Sequence, residues 1–156
     1  MRLAAQEIAV TSPAFGTGEP FPVEFTCDGA GVSPPVEWQA GPSGTKSYAL
    51  TLWHETPDGL KSYWVVYNIP ANVTKLPKDS RSIGTLGLNG KRRAEYDPMC
   101  SKGPGLKEYH ITVYALSAQP QLRPDAATRE SLLEAIGKTA LAEGTLTYSY
   151  ERTANR

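Results

Sequence analysis

Only two cysteines and two histidines occur among the 156 residues, and that scarcity removes several chemistries at once. Cys27 and Cys100 form no C-x-x-C pair and no Cys/His set of zinc-ligand spacing, so no metal site or dithiol redox motif is expected. Neither a G-x-S-x-G elbow nor an H-E-x-x-H helix is present, which leaves a nucleophile–base arrangement hard to build. Charge of one sign is lacking too. Sixteen basic and sixteen acidic residues cancel, so no field exists to hold nucleic acid by counterion release. No apolar run approaches the roughly 18 residues that a membrane helix needs. Internal repeats and low-complexity tracts are missing. The expectation is a single domain over residues 1–156, with no cofactor, no nucleic-acid partner and no membrane span.

What the chain has in quantity is turn formers, 14 Gly and 13 Pro. They predict a mostly β domain with long ordered loops. Ile8–Val10 and Phe21–Phe25 read as short strands around a Gly/Pro-rich turn. The Pro34-Pro35 pair excludes helix and implies extended chain up to Trp38. Tyr48–His54 and Ser62–Ile69 read as a hairpin closed over Glu55–Gly59, where Pro57 suits the second position of a turn. Both strands are apolar on both faces, as in the buried middle of a fold. Residues 71–106 carry few apolar side chains and many Gly and Pro, the pattern of a functional loop region. Tyr109–Leu116 returns to strand. Thr128 caps a predicted helix bearing Leu132, Leu133 and Ile136, ended or kinked at Gly137. A second short turn is expected around Ala140–Ala142, and Thr145–Tyr150 closes as a strand.

Cys27 and Cys100 are either two free thiols or one long-range disulfide worth about 4–5 kcal/mol in the chain-entropy model. Met1–Ala5 carries a positive charge without an apolar core of signal-peptide length. As written the chain reads as cytoplasmic; removal of a signal peptide would make it periplasmic or secreted. Lys91-Arg92-Arg93 is a basic run of the kind usually found on a solvated loop. His110 lies inside a strand and reads as structural. His54 ends a strand, and Glu55 points to the opposite face. Around Gly103 and Gly105, main-chain N–H groups are free to line an anion-binding nest, with Lys102 and Lys107 adding charge. Lys107 and Tyr109 share a strand face. If the strand ends carrying His54, Tyr63, Lys107 and Tyr109 converge, they make a small pocket suited to an anionic or polar ligand.

At these residues the chain resembles the phosphatidylethanolamine-binding protein (PEBP) family, particularly its bacterial Raf-kinase-inhibitor-like members. The likeness runs in order through Thr11-Ser12-Pro13-Ala14-Phe15, Phe25-Thr26-Cys27-Asp28-Gly29 and Val32-Ser33-Pro34-Pro35-Val36-Glu37-Trp38. It continues in Trp64-Val65-Val66-Tyr67-Asn68-Ile69-Pro70 and Val113-Tyr114-Ala115-Leu116. The resemblance implies a β-sandwich with a small anion pocket beside a C-terminal helical segment, and a non-catalytic binding module that modulates kinases or proteases. Departures fall on the pocket. His54-Glu55-Thr56-Pro57-Asp58 stands where the family has D-P-D-A-P, Tyr63 where it has histidine, and Lys107-Glu108-Tyr109 where it has H-R-Y. The glycine-rich loop survives as Ser101-Lys102-Gly103-Pro104-Gly105.

Two outcomes are compatible with these departures: a pocket retained but retuned, or a degenerate pocket and a protein that works through another surface. The leading expectation is a non-enzymatic protein binding a small anion or phospholipid headgroup through His54, Tyr63, Gly103, Gly105, Lys107 and Tyr109. The alternative is a kinase or protease inhibitor that uses Lys91–Arg93 and the 98–105 loop. A homodimer is left open. The segments holding Cys27 and Cys100 are read as the rim of the pocket, tied together if the disulfide forms.

Overall fold

Four long strands set the architecture, and the central ones carry runs buried on both faces. In the computed structural model, described over residues 6–101 and 105–152, β4 (Ser47–Thr56) and β5 (Gly59–Pro70) form the hairpin. Their pairing runs down to Thr56 opposite Gly59, so the turn residues are Pro57 and Asp58 alone. The Thr56 hydroxyl donates to the Gly59 carbonyl at 2.8 Å and accepts from the Asp58 N–H at 3.1 Å. Gly59 has φ 130°, a conformation that a Cβ would oppose. β8 (Lys107–Leu116) pairs with β4, and β9 (Ala140–Tyr150) pairs with β8, both antiparallel.

Short strands complete two sheets: β1 (Gln6–Glu7), β2 (Val10–Thr11), β3 (Val36–Trp38), β6 (Lys75–Leu76) and β7 (Thr85–Leu86). The larger sheet has the order β1-β9-β8-β4-β5-β7 and the smaller β2-β3-β6. The chain therefore changes sheets between β1 and β2. For that reason the strand expected at Ile8–Val10 is interrupted: Ile8 N–H bonds Glu143 of the large sheet, whereas Val10 pairs with Trp38 of the small one.

One face of the large sheet packs Tyr48, Leu50, Leu52, Trp64, Ile111, Val113, Leu146 and Tyr148 against Val10, Val36, Trp38 and Leu76 of the smaller sheet. Its other face packs Ala49, Val65, Tyr67, Tyr114 and Leu116 against Leu132 and Ile136 of α1 (Arg129–Ala135). That is why the central strands are apolar on both sides. The Thr128 side chain caps α1 by accepting from the Ser131 N–H.

Two other sequence expectations are corrected. Phe21–Phe25 is no strand but enters a 3-10 turn at Val23–Phe25, with Pro22 at its N-cap. The turn buries Phe21 and Phe25 while leaving Val23 53% exposed, which strand alternation would not allow. Ala140–Ala142 is no separate turn: β9 already begins at Ala140, opposite Leu116. Cys27 and Cys100 are bridged, with Cα atoms 5.2 Å apart and a sequence separation of 73. The Cys27 N–H also bonds the Met99 carbonyl, so the two segments are fastened by main chain as well as by sulfur.

Closing a loop of that length restricts the unfolded chain by about 4 kcal/mol. Reduction, or the pair Cys27→Ser/Cys100→Ser, is expected to move the urea midpoint down by the equivalent of several kcal/mol. Superimposable urea curves for oxidised and reduced protein would show the bridge to be energetically idle.

Candidate functional site

The two-residue turn at Pro57-Asp58 sets everything at this end of the sheet. It places Lys61 directly opposite His54. On the other side of β4, Trp53 faces His110, which brings His54 alongside Tyr109. Tyr109 in turn faces Tyr148. Lys61, His54, Tyr109 and Tyr148 thus form a row across four strands, all on the face that carries the main core.

Aromatic stacking holds the row. The His54 and Tyr109 ring centroids are 4.6 Å apart at 27°, and Tyr109 and Tyr148 are 5.6 Å apart at 13°. Tyr148 lies 4.2 Å from Phe21, which meets Phe15 edge-on at 5.1 Å. His54 Nδ1 is 2.8 Å from the Glu108 carbonyl oxygen, so on this contact Nδ1 carries the proton and Nε2 is left as the acceptor.

Tyr63 reaches the same face through a bulge. Leu52 pairs with Trp64 and Trp53 with Ser62, leaving Tyr63 as the extra residue of β5. Strict alternation would turn Tyr63 away from Trp64; the bulge turns both toward the core. The Tyr63 ring lies 5.7 Å from Tyr109. A second bulge, at Asn68 with φ 57°, resets the alternation further along the strand.

His54, Tyr63, Lys107 and Tyr109 therefore meet, and all four line one cavity of about 680 Å³. Gly105 is not among the lining residues; its φ is +105°. Gly103 lies outside the described residues. The remaining wall comes from Pro98, Cys100 and Ser101, from the 88–92 loop, and from the start of α1. Lys91 and Arg92 are thus part of the cavity wall, a role their reading as a plain solvated run did not include. Cys100 lines the cavity, whereas Cys27 does not.

Asn89 shapes the basic loop. It is 2% exposed; its side-chain carbonyl accepts from the Lys91 and Arg93 N–H groups, and its amide donates to the Glu95 carbonyl. Among the described lining residues Lys61, Lys91, Arg92, Lys107 and Arg129 stand against Asp97 and Glu130. The wall is a local cationic excess in a chain with no net charge, although Lys91 is paired with Asp97 at 3.3 Å.

Across the sheet the second histidine is held structurally. His110 Nδ1 is 2.9 Å from the Thr147 hydroxyl, and its ring is 4.4 Å from Trp53. Burial holds its pKa below the ordinary value, with Glu108 and Glu55 opposing that shift. Among the described residues no group of three or more His, Cys, Asp or Glu is placed to hold a metal. No described helix is long and apolar enough to cross a membrane.

With this geometry in hand, comparison with known proteins is direct. Residues 11–151 match the sequence family described as Phosphatidylethanolamine-binding protein. The chain belongs to the phosphatidylethanolamine-binding protein family. Similar proteins include a UPF0098 protein of Chlamydia muridarum, 35% identical over 153 residues and covering 92% of this chain and 98% of the relative. The crystal structure of the PEBP homologue CT736 from Chlamydia trachomatis matches with TM-score 0.87 at 30% identity, over 95% of this chain and 99% of that one. YbcL of Escherichia coli, described as a new member of the mammalian PEBP family, matches with TM-score 0.85 at 27% identity, over 94% and 99%.

The sequence reading of this PEBP site missed Lys61, Asn89, Asp97 and Arg129. Lys61 was within reach, because a two-residue turn fixes it opposite His54. The others depend on how the long loop and α1 dock, which no local pattern encodes.

Burial pushes the Tyr109 phenol well above the usual tyrosine range, and Tyr63 adds to the effect. Tyr63 is raised by burial and then by the Asp97 charge, against an opposing hydrogen bond to Tyr109. Burial also raises Tyr96 and Tyr148. A phenol whose pKa is raised on folding favours the native state below its unfolded pKa of about 10, and that advantage is lost as pH climbs beyond it. Alkaline titration followed by phenolate absorbance should therefore show these tyrosines silent near pH 10 in native protein and ionising only as it unfolds. Ionisation of all eight tyrosines near pH 10 with the fold intact would contradict this.

Proposed function

We propose that this PEBP-family chain is a non-catalytic binding protein whose pocket takes a small anion or a phosphorylated headgroup. The observation that carries this reading is the cationic surplus of the cavity wall beside two phenols and an imidazole. Phenol O–H groups and ammonium donors match the lone pairs of a phosphate or carboxylate. His54 supports binding over turnover, since its ring is pinned by stacking and by the Glu108 carbonyl. The pocket is retained and retuned: lysine at position 107 and histidine at 54 favour an anionic group over the ammonium of phosphatidylethanolamine. The Cys27–Cys100 bridge supports residence in an oxidising compartment.

A second reading, inhibition of a kinase or protease, is favoured by one observation. Lys91, Arg92 and Arg93 are all exposed on a loop that Asn89 holds rigidly, so they present a fixed basic rim to a protein partner. Charge reversal at Arg93, which does not line the cavity, would abolish inhibition and spare anion binding on this reading.

Isothermal titration with inorganic phosphate, acetate and glycerophosphoethanolamine tests the leading reading. Saturable binding at or below millimolar concentration is expected, weakening as ionic strength rises. Lys107→Gln is expected to cost about tenfold in phosphate affinity, the loss of one charge-assisted hydrogen bond of about 1.5 kcal/mol. Absence of saturable binding by all three ligands would overturn the reading.

A further inference from the structure

The cavity does not end at the row of Lys61, His54 and Tyr109. Its wall continues around β5 to Ser62, Thr128, Arg129 and Glu130, where a second row of paired residues begins. Ser62 lies opposite Trp53, and Trp53 opposite His110. Cross-strand partners project on the same side, here the side covered by α1 and opposite to His54.

The Arg129 guanidinium sits over the Trp53 ring, 4.9 Å from its centroid. The indole beneath is itself fixed, donating from Nε1 to the Thr112 hydroxyl at 3.1 Å and stacking on His110. Arg129 makes no ion pair among the described residues, although Glu130 follows it in sequence and lines the same wall. Its Nε–H is buried without a hydrogen-bond partner, and so is the Ser62 hydroxyl.

Buried donors left unpaired cost about 1–3 kcal/mol each, and native structures rarely keep them without a use. A guanidinium held over an aromatic ring has lost much of its freedom before a ligand arrives, and its terminal N–H groups keep the fork geometry that fits an oxyanion. Thr128 supplies no donor here, because its hydroxyl is spent on the helix cap and on Ser131.

We propose that Arg129, laid on Trp53 and flanked by Ser62, forms a second oxyanion subsite in the cavity, binding a phosphate group on the side of β5 opposite to His54. The guanidinium supplies charge and its terminal N–H donors, and the indole anchors it. This subsite stands independently of the pocket at His54, and the two are read out separately.

Trp53 fluorescence reports the new subsite, because Trp38 and Trp64 are buried in the core, and the His54 imidazole resonances report the other. Titration with inorganic phosphate should change Trp53 emission, and Trp53→Phe should remove that change. Arg129→Gln should abolish the signal and weaken binding at this subsite about tenfold or more; Arg129→Lys should recover part of it, and Ser62→Ala should weaken it less. Running the titration with glycerophosphoethanolamine in place of phosphate distinguishes a lipid headgroup from free phosphate as the source of the oxyanion. A phosphate response at His54 with no response at Trp53, and with Arg129→Gln binding as tightly as the parent, overturns this inference and leaves the pocket reading standing. The reverse pattern, Trp53 responding and His54 silent, overturns the pocket reading and supports the second subsite. Silence of both probes overturns both.

Discussion

The stack of Tyr109 between His54 and Tyr148 is the contact on which the site depends. Tyr109 is 1% exposed and Tyr148 likewise, so the column is rooted in the core, and its Tyr109 and His54 end meets the cavity. Aromatic rings in such contact contribute about 0.5–1.5 kcal/mol beyond their burial. Their larger effect is geometric. Each ring is fixed by the next, from Phe15 through Phe21 and Tyr148 to Tyr109, so the imidazole at the end inherits the rigidity of the core. Site residues carried on strands keep their positions better than residues on loops; all four expected site residues with side chains here lie on the long strands, and the rings of His54 and Tyr63 both meet Tyr109.

The loops add to the charge that Lys61 and Lys107 bring from the strands. Lys91 and Arg92 come from a segment with almost no regular structure, yet one buried asparagine bonds three of its main-chain groups. The disulfide does comparable work for the 98–101 wall, since it ties Cys100 to a turn that otherwise lies far away in sequence. Polar wall on a mobile segment would spend binding energy on its own ordering; here that cost is met on folding.

A fair part of this was legible in the chain. The hairpin, the late strand, the Thr128 cap and the mostly β character follow from periodicity and turn residues, and the family resemblance was carried by motifs in order. The convergence of His54, Tyr63, Lys107 and Tyr109 was a conditional reading that the coordinates bear out as geometry. The strand placed at Phe21–Phe25 failed because Pro22 and the burial of two phenylalanines on one side suit a tight turn as well as they suit a strand. Gly105 was expected at the pocket because glycine permits close approach; it is not among the residues that line the cavity.

Local pattern was enough to place the long strands of the centre, the hairpin turn, the start of the helix and the motifs that resemble the family. These depend on residues close together along the chain, where steric and hydrogen-bonding rules are local. Three matters were decided only by tertiary structure. The bulge that brings Tyr63 onto the face of His54 is a property of a strand pair, and one residue more or less in the pairing reverses its direction. Sulfur meeting sulfur across 73 residues depends on two loops arriving at one place. The seat of Arg129 over Trp53 joins a helix to a strand far away in sequence, and no local pattern specifies that contact.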